Sequence, residues 1–126
     1  MAGERVLVVE DNEMSMKLFR DVLLATGYRT LEATTGRQAV ELAAEHAPDL
    51  VLMDIQLPDI DGVEALSRLR ANERTAAIPV LAVTAQAMQD DHERFLAVGF
   101  DDYISKPVNI VELVGTVRRY CEGPGR

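Results

Sequence analysis

Charged side chains stand just after predicted strands in three parts of the sequence. Glu10 and Asp11 follow one short apolar run, Asp54 directly follows a second, and Lys106 comes after a weaker strand candidate that ends at Ile104. Carboxylates held close together resist ionising together, and a hard divalent cation relieves their repulsion. Mg²⁺ prefers carboxylate, carbonyl and water oxygens. We therefore expect Asp11 and Asp54 to bind Mg²⁺, with Glu10 bound directly or through water and the backbone carbonyl of Gln56 contributing.

A carboxylate in this position can also act as a nucleophile. Attack on phosphorus would give an aspartyl phosphate, and Asp54 is the candidate because a charge directly after an apolar run is costly without a purpose. Mg²⁺ and a cationic side chain would balance the charge of the transferring phosphoryl group. Lys106 suits that role, the Thr84 hydroxyl could donate a hydrogen bond, and the small Ala85 would leave room for the group.

Three continuous apolar runs and two weaker strand candidates, expected edge strands at 29–32 and 100–104, alternate with five amphipathic helix patterns along the chain. The strand candidates are residues 6–9, 29–32, 50–53, 80–83 and 100–104, and the helix patterns lie at 18–23, 39–47, 63–69, 88–96 and 110–120. Gly27 and Gly99 suit left-handed positions just past two helix ends. The alternation predicts an α/β fold, (βα) repeated five times as a doubly wound parallel sheet with helices on both faces. Ligands bind outside the carboxyl ends of such strands, where the polar residues would converge.

Length, charge and cysteine content narrow the classes of protein. A chain of 126 residues favours one domain over residues 1–126, with a core at about 4–121. The net charge of −8 argues against binding nucleic acid. Apolar runs fall far short of the ~20 residues that span a bilayer, so we expect a cytoplasmic protein that does not bind membranes. Cys121 is the only cysteine, which excludes an internal disulfide.

The chemistry-bearing residues fall into five motifs that together resemble the response-regulator receiver family. These are Val8-Val9-Glu10-Asp11-Asn12, Leu52-Met53-Asp54-Ile55-Gln56-Leu57-Pro58, Asp61-Gly62, Val83-Thr84-Ala85 and Tyr103-Ile104-Ser105-Lys106-Pro107. Each motif alone is weakly specific, but five in this order are highly specific. The resemblance covers about residues 4–121 and implies the flavodoxin-like receiver fold with strand order 2-1-3-4-5.

The resemblance also implies a role for each matching residue. Asp54 is similar to the family's phospho-acceptor, and Glu10 and Asp11 to the acidic pair that holds Mg²⁺ with Asp54 and the Gln56 carbonyl. Lys106 matches the lysine that contacts the phosphoryl group.

Thr84 matches the switch hydroxyl and Tyr103 the switch aromatic, and the Lys106–Pro107 bond is expected to be cis. Gln56 and Gln86 border the expected pocket, and we expect them to influence how long the phosphoryl group persists, because they could steer or block the attacking water.

The resemblance implies a switch in two-component phosphorelay signalling rather than an enzyme with an external substrate. The expected phosphoryl donor is a sensor histidine kinase or a histidine phosphotransferase. Output would pass to a protein partner through the face formed by the fourth helix, fifth strand and fifth helix, from a monomer or weak homodimer. The segment of residues 10–19 and the Tyr-Ile-Ser-Lys-Pro motif at 103–107 are similar to those of the DivK-like single-domain regulators of cell division and polarity in alphaproteobacteria.

Other functions fit the sequence less well. A phosphatase of the haloacid-dehalogenase type needs a second aspartate where this chain has Gln56, and Glu10-Asp11 would repel the phosphate of a flavodoxin's FMN. The P-loop motif is absent. A receiver-like domain that binds proteins without being phosphorylated remains as an alternative, and it predicts a broken acidic pocket. Asp59 and Asp61 are expected to be turn and helix-start residues rather than ligands.

Overall fold

The computed structural model describes residues 3–85 and 89–122. In these ranges strands and helices alternate in the predicted order. The strands are β1 (Arg5–Val9), β2 (Arg29–Ala33), β3 (Leu50–Asp54), β4 (Val80–Thr84) and β5 (Asp102–Ser105). The helices are α1 (Glu13–Ala25), α2 (Gly36–His46), α3 (Gly62–Ala71), α4 (Gln89–Val98) and α5 (Ile110–Glu122).

All five strands pair in parallel in the order β2-β1-β3-β4-β5, which confirms the predicted sheet. Every residue of β3 and β4 is buried, as expected for central strands covered on both faces. The edge strands β2 and β5 are partly exposed. The chain reverses its direction of travel across the sheet between β1 and β3, and an open α/β sheet binds ligands in the crevice at such a point.

Successive residues of a strand point to opposite faces, so the sheet separates two apolar layers. Val6 and Val8 of β1 join the layer formed with helices α1 and α5, and Leu7 and Val9 join the layer formed with α2, α3 and α4. Burial is near complete in both layers. The two layers hold the central strands rigidly, and their carboxyl ends are therefore a fixed platform for polar side chains.

The helix ends follow the predicted turn chemistry with one addition. Gly27 and Gly99 have positive φ angles of 96° and 117°, as predicted. Helix α2 ends in the same way, but at Ala47, whose φ is 47°, immediately before Pro48. The Pro48 ring prevents the helix from continuing, and Ala47 takes the left-handed conformation without the relief a glycine would give.

The fifth strand is shorter than the sequence predicts. We expected it to start at Phe100, whereas β5 begins at Asp102. Phe100 instead completes the turn after α4: its backbone N–H donates to the Phe95 carbonyl, and the two rings pack edge to face with centroids 6.1 Å apart. No helix within the described ranges is long and apolar enough to cross a membrane.

Candidate active site

The carboxyl edge of the sheet brings the predicted residues together. Glu10 follows β1, Asp54 and Thr84 are the last residues of β3 and β4, and Lys106 follows β5. The Lys106 backbone N–H donates to the Thr84 carbonyl over 2.8 Å, and this hydrogen bond connects the ends of β4 and β5. A cavity of about 410 Å³ opens here, and its lining consists of Glu10, Asp11, Asn12, Asp54, Ile55, Gln56, Leu57, Pro58, Thr84, Ala85 and Lys106.

Three carboxylates form a cluster in this cavity. Glu10, Asp11 and Asp54 each place an oxygen within 4.8 Å of the others. Glu10 is 1% exposed and Asp54 6%, whereas Asp11 faces solvent. Burial and the neighbouring Asp54 raise the pKa of Glu10, and its hydrogen bond from Lys106 only partly offsets this rise. A compact set of carboxylate oxygens that is open to water on one side fits Mg²⁺, which keeps several waters and uses one or two carboxylates directly.

Lys106 is the cation of the site. Its Nζ lies 2.9 Å from Glu10 Oε1 and 3.5 Å from Asp54 Oδ2. Burial acts to lower the pKa of Lys106, but the hydrogen bond to Glu10 and the charge of Asp54 outweigh it and raise the pKa above its usual value. The lysine therefore stays charged and bridges the two buried carboxylates. Its peptide bond to Pro107 is cis, as the resemblance predicts.

Local backbone contacts orient the two buried carboxylates. Asp54 Oδ1 accepts a hydrogen bond of 2.9 Å from the Gln56 backbone N–H, so Oδ2 is the oxygen that faces Lys106. The second oxygen of Glu10 accepts from the Asn12 N–H over 3.2 Å. Each carboxylate thus has one oxygen on the backbone of its own loop and one towards the lysine, and the side chains are held before any ligand binds.

Gly62 explains why the Asp61-Gly62 motif belongs to this site. A Cβ atom at Gly62 would lie 2.8 Å from the Asp54 carbonyl oxygen and 3.0 Å from Ile55 Cα, both of them backbone atoms. The Gly62 N–H donates to the Ile55 carbonyl over 3.0 Å. Helix α3 therefore starts directly against the backbone of the predicted nucleophile. Asp61 caps that helix by accepting from the Glu64 N–H, as predicted.

The remaining predicted residues are placed in three ways. Thr84 is buried and lines the cavity, and the exposed loop residue Gln56 also lines it. Tyr103 is half-buried and packs against the apolar layer on the α2, α3 and α4 face, outside the cavity lining. Gln86 lies outside the described residues. The roles assigned to all these residues remain predictions, and the geometry shows only that the cavity-lining set is assembled.

One residue of this region has a contact that the sequence did not reveal. We predicted Asp59 as a turn residue, but its carboxylate accepts hydrogen bonds from the Gly36 and Arg37 backbone N–H groups at the start of α2, over 2.8 and 3.0 Å. Desolvation acts to raise the pKa of Asp59, and the backbone donors outweigh it and lower the pKa to about 2. The partners are 23 and 22 residues away in sequence, so no local motif could predict the contact.

Comparison with known proteins identifies the family of this chain. The response regulator receiver domain family matches residues 6–118. The chain belongs to that family, whose members are phospho-acceptor switches of two-component signalling, and the resemblance seen in its motifs is confirmed.

Among curated proteins, the polar-differentiation response regulator DivK of Brucella ovis is 49% identical over 115 residues, which cover 91% of this chain and 94% of that protein. The DivK of Brucella anthropi is 48% identical over the same shares.

Solved structures show the same fold. The receiver domain of a Pseudomonas aeruginosa sensor histidine kinase has a TM-score of 0.88 and 37% identity, covering 96% of this chain and 99% of that one. Its crystal structure holds a magnesium ion in the active-site cleft. The chemotaxis protein CheY4 of Vibrio cholerae has a TM-score of 0.87 at 26% identity, with 94% and 99% covered. These likenesses confirm the flavodoxin-like receiver fold.

Proposed function

We propose that the chain is a phosphorylation switch whose acceptor is Asp54. The observation that carries this proposal is the arrangement of Glu10, Asp11 and Lys106 around that carboxylate in one open cavity. An oxygen of Asp54 attacks the phosphorus of a phosphohistidine. The P–N bond breaks, its electron pair remains on the imidazole nitrogen, and the aspartyl phosphate forms. Attack of water on the same phosphorus later returns Asp54 and releases inorganic phosphate.

The residues of the cavity fit the charge that this step must balance. Glu10, Asp11 and Asp54, with the Gln56 carbonyl, would hold Mg²⁺, which neutralises charge on the phosphoryl oxygens when it is bound. Lys106 already lies near Asp54 Oδ2 and is positioned to contact a phosphoryl oxygen. The chain thereby assists its own phosphorylation and dephosphorylation without acting on an external substrate.

Phosphorylation changes the conformation of the protein through Thr84 on β4 and Tyr103 on β5. Phosphorylation adds charge and acceptor oxygens beside Asp54, and the Thr84 hydroxyl moves towards them. Tyr103, which is half-buried on the adjacent strand, turns inward into the space that is vacated. The surface of α4, β5 and α5 changes as a result and binds a downstream protein. Phosphorylation shifts this equilibrium only by its different affinity for the two conformations.

The partners and the cellular process are proposed from the relatives. The Brucella proteins are named polar-differentiation response regulators, and this chain matches 94% of their length. We propose a cytoplasmic single-domain regulator over residues 1–126 that acts in cell-cycle or cell-division control, as a monomer or weak homodimer. Its phosphoryl donor is a sensor histidine kinase or a histidine phosphotransferase.

The direct test is phosphate incorporation from acetyl phosphate with Mg²⁺, followed by intact mass. We expect one phosphoryl group on the wild type and none on Asp54→Asn or in the presence of a chelator. Asp61→Asn is the matched control, because it removes an acid from the same loop while an asparagine can still cap α3.

Wild type that stays unmodified with both acetyl phosphate and a phosphorylated donor domain would refute the proposal and favour a domain that only binds proteins. Incorporation that persists in Asp54→Asn would place the acceptor elsewhere. The lifetime prediction is separate: phosphorylated Gln56→Ala and Gln86→Ala should lose phosphate at altered rates, and unchanged rates would contradict a role for these side chains.

A further inference from the structure

The loop that follows the proposed phospho-acceptor is fastened to a helix that contributes nothing else to the site. Asp59 lies on this loop, and its two carboxylate oxygens accept from the Gly36 and Arg37 backbone N–H groups over 2.8 and 3.0 Å. These are the first two donors of α2, which have no partner within the helix itself. Arg37 Nε lies 3.8 Å from the same carboxylate. The loop is thus held by charge-assisted bonds across 23 residues of sequence.

Packing fastens the same point independently. A Cβ atom at Gly36 would lie 2.5 Å from Ile60 Cγ1 and 3.1 Å from the Ile60 carbonyl oxygen. No real Cβ makes the first contact, and the second involves backbone, so only glycine lets α2 approach this close. The first residue of α2 is therefore in direct contact with the loop, beside the Asp59 hydrogen bonds.

The loop of residues 55–61 is therefore held by contacts at two points, and Gln56 lies between them. At one end Gly62 packs on the Asp54 and Ile55 backbone, and at the other Asp59 and Ile60 are held on α2. Gln56 is the residue whose backbone N–H orients Asp54 and whose carbonyl is the proposed fourth ligand of Mg²⁺. The residues between these two contacts have no regular secondary structure, and Leu57 is the one that packs against the apolar layer of α2, α3 and α4.

The helix does not need Asp59 in order to begin. Thr35 is the N-cap of α2 and accepts from the Gln38 N–H over 3.1 Å. A cap from the preceding residue is the usual solution at a helix start. The additional contact from a distant loop therefore restrains the loop as much as the helix.

We propose that Asp59 is a positioning residue for the metal and phosphoryl site, which it serves by fastening the loop of residues 55–61 to the start of α2. This inference rests on the proposed function, because it concerns the same site. Removal of the contact lets the loop move, so that the Gln56 backbone no longer stays in the position that suits Asp54 and Mg²⁺. Outer contacts that orient ligands are worth about 10- to 100-fold in metal affinity.

The test compares Asp59→Ala with Thr35→Ala, which weakens the start of the same helix without releasing the loop. Mg²⁺ affinity is measured by calorimetry, and the position of the Gln56 amide by its NMR shift in the absence of metal. We expect Asp59→Ala to raise the Kd for Mg²⁺ about tenfold and to shift the Gln56 amide. Thr35→Ala should change neither. Asp59→Asn, which keeps an acceptor oxygen, should recover part of the affinity.

A second variant reaches the same contact from the other side. Gly36→Ala retains the Asp59 carboxylate but pushes Ile60 away, and it should also weaken Mg²⁺ binding. Urea melts of all variants show whether they are folded and equally destabilised.

Equal loss of affinity in Thr35→Ala and Asp59→Ala, or unchanged affinity in both Asp59→Ala and Gly36→Ala, would overturn the inference while leaving the proposed function intact. Wild type that does not bind Mg²⁺ would overturn both.

Discussion

Replacing the proposed phospho-acceptor by its amide should stabilise the metal-free protein. At an effective dielectric constant of about 20, Asp54 and Glu10, which are no more than 4.8 Å apart, repel by at least about 3.5 kcal/mol. The attraction of Asp54 to Lys106 at 3.5 Å is about 5 kcal/mol on the same scale. Asp11 faces solvent and adds about 1 kcal/mol of repulsion at the dielectric constant of water. The charge interactions of Asp54 therefore nearly cancel.

The balance is then decided by the cost of removing the Asp54 charge from water. A buried ion loses several kcal/mol of hydration even after relaxation, and the side chain of Asp54 is only 9% exposed. Because the cavity admits water, the hydration cost is smaller here, and we expect Asp54→Asn to raise the free energy of unfolding by about 1 to 2 kcal/mol. Asparagine keeps the acceptor oxygen for the Gln56 N–H, and Lys106 keeps Glu10 as its partner.

Mg²⁺ should reverse this order of stability. The wild type gains about 2.7 kcal/mol at a Mg²⁺ concentration one hundred times Kd, whereas Asp54→Asn lacks one carboxylate ligand and gains less. The assay is urea unfolding followed by circular dichroism, with EDTA and then with saturating Mg²⁺. Glu41→Gln removes an exposed acid from α2 as the control and should stay within about 0.5 kcal/mol of the wild type.

Two results would refute this reasoning. If Asp54→Asn were less stable than the wild type in EDTA, the attraction of Asp54 to Lys106 would outweigh the desolvation of Asp54, and the Asp54 charge would not destabilise the metal-free protein. If Mg²⁺ stabilised both proteins equally, Asp54 would not be a ligand.

Three further predictions concern the residues around the acceptor. Gly62→Ala should cost about 1 to 3 kcal/mol of stability by overpacking, and it should slow phosphorylation by acetyl phosphate. Gly115→Ala should instead stabilise α5 by about 0.5 to 1 kcal/mol, because its Cβ would meet no atom within 4 Å. Urea melts that rank the two variants the other way would contradict the packing argument. Lys106→Met leaves the buried Glu10 without its cation and should cost about 2 to 4 kcal/mol in EDTA, with Mg²⁺ restoring part of it; an unchanged melting curve would count against the buried pair. Asp59 has a pKa of about 2 against an ordinary 3.8, so its stabilisation is complete above about pH 4 and is lost as the pH falls towards 2; acid melts of Asp59→Asn should show a shallower loss than the wild type in that window, and parallel curves would exclude the contribution.

The elements of the fold were predictable because their patterns are local. The continuous apolar runs that became β1, β3 and β4 identified central parallel strands, and Gly27 and Gly99 marked helix ends through their own backbone freedom. The fifth strand was wrongly predicted to start at Phe100 because an apolar residue just before a strand fits the strand pattern. Only the tertiary structure shows that the Phe100 ring packs on Phe95 instead.

The candidate site was predictable for a related reason. In a parallel sheet every strand ends at the same edge, so the residues after each strand must meet, and Glu10, Asp54 and Lys106 could be grouped from sequence order alone. Distance and charge state could not be obtained in this way. The 2.9 Å contact from Lys106 to Glu10 depends on elements far apart in the chain. So do the burial that raises the pKa of Glu10 and the carboxylate contacts that raise the pKa of Lys106.

The sequence by itself determined the order of strands and helices, the edge at which the charged residues gather and the oxygen chemistry they offer. Only the tertiary structure decided which carboxylate oxygen faces Lys106 and why Gly36 and Gly62 must lack side chains. It also decided that Asp59 belongs to the start of α2. The physical reason is that period and turn chemistry act over a few residues, whereas the contacts of Lys106 with Asp54 and of Asp59 with Gly36 join segments that are 52 and 23 residues apart, and packing across the sheet sets where such segments meet.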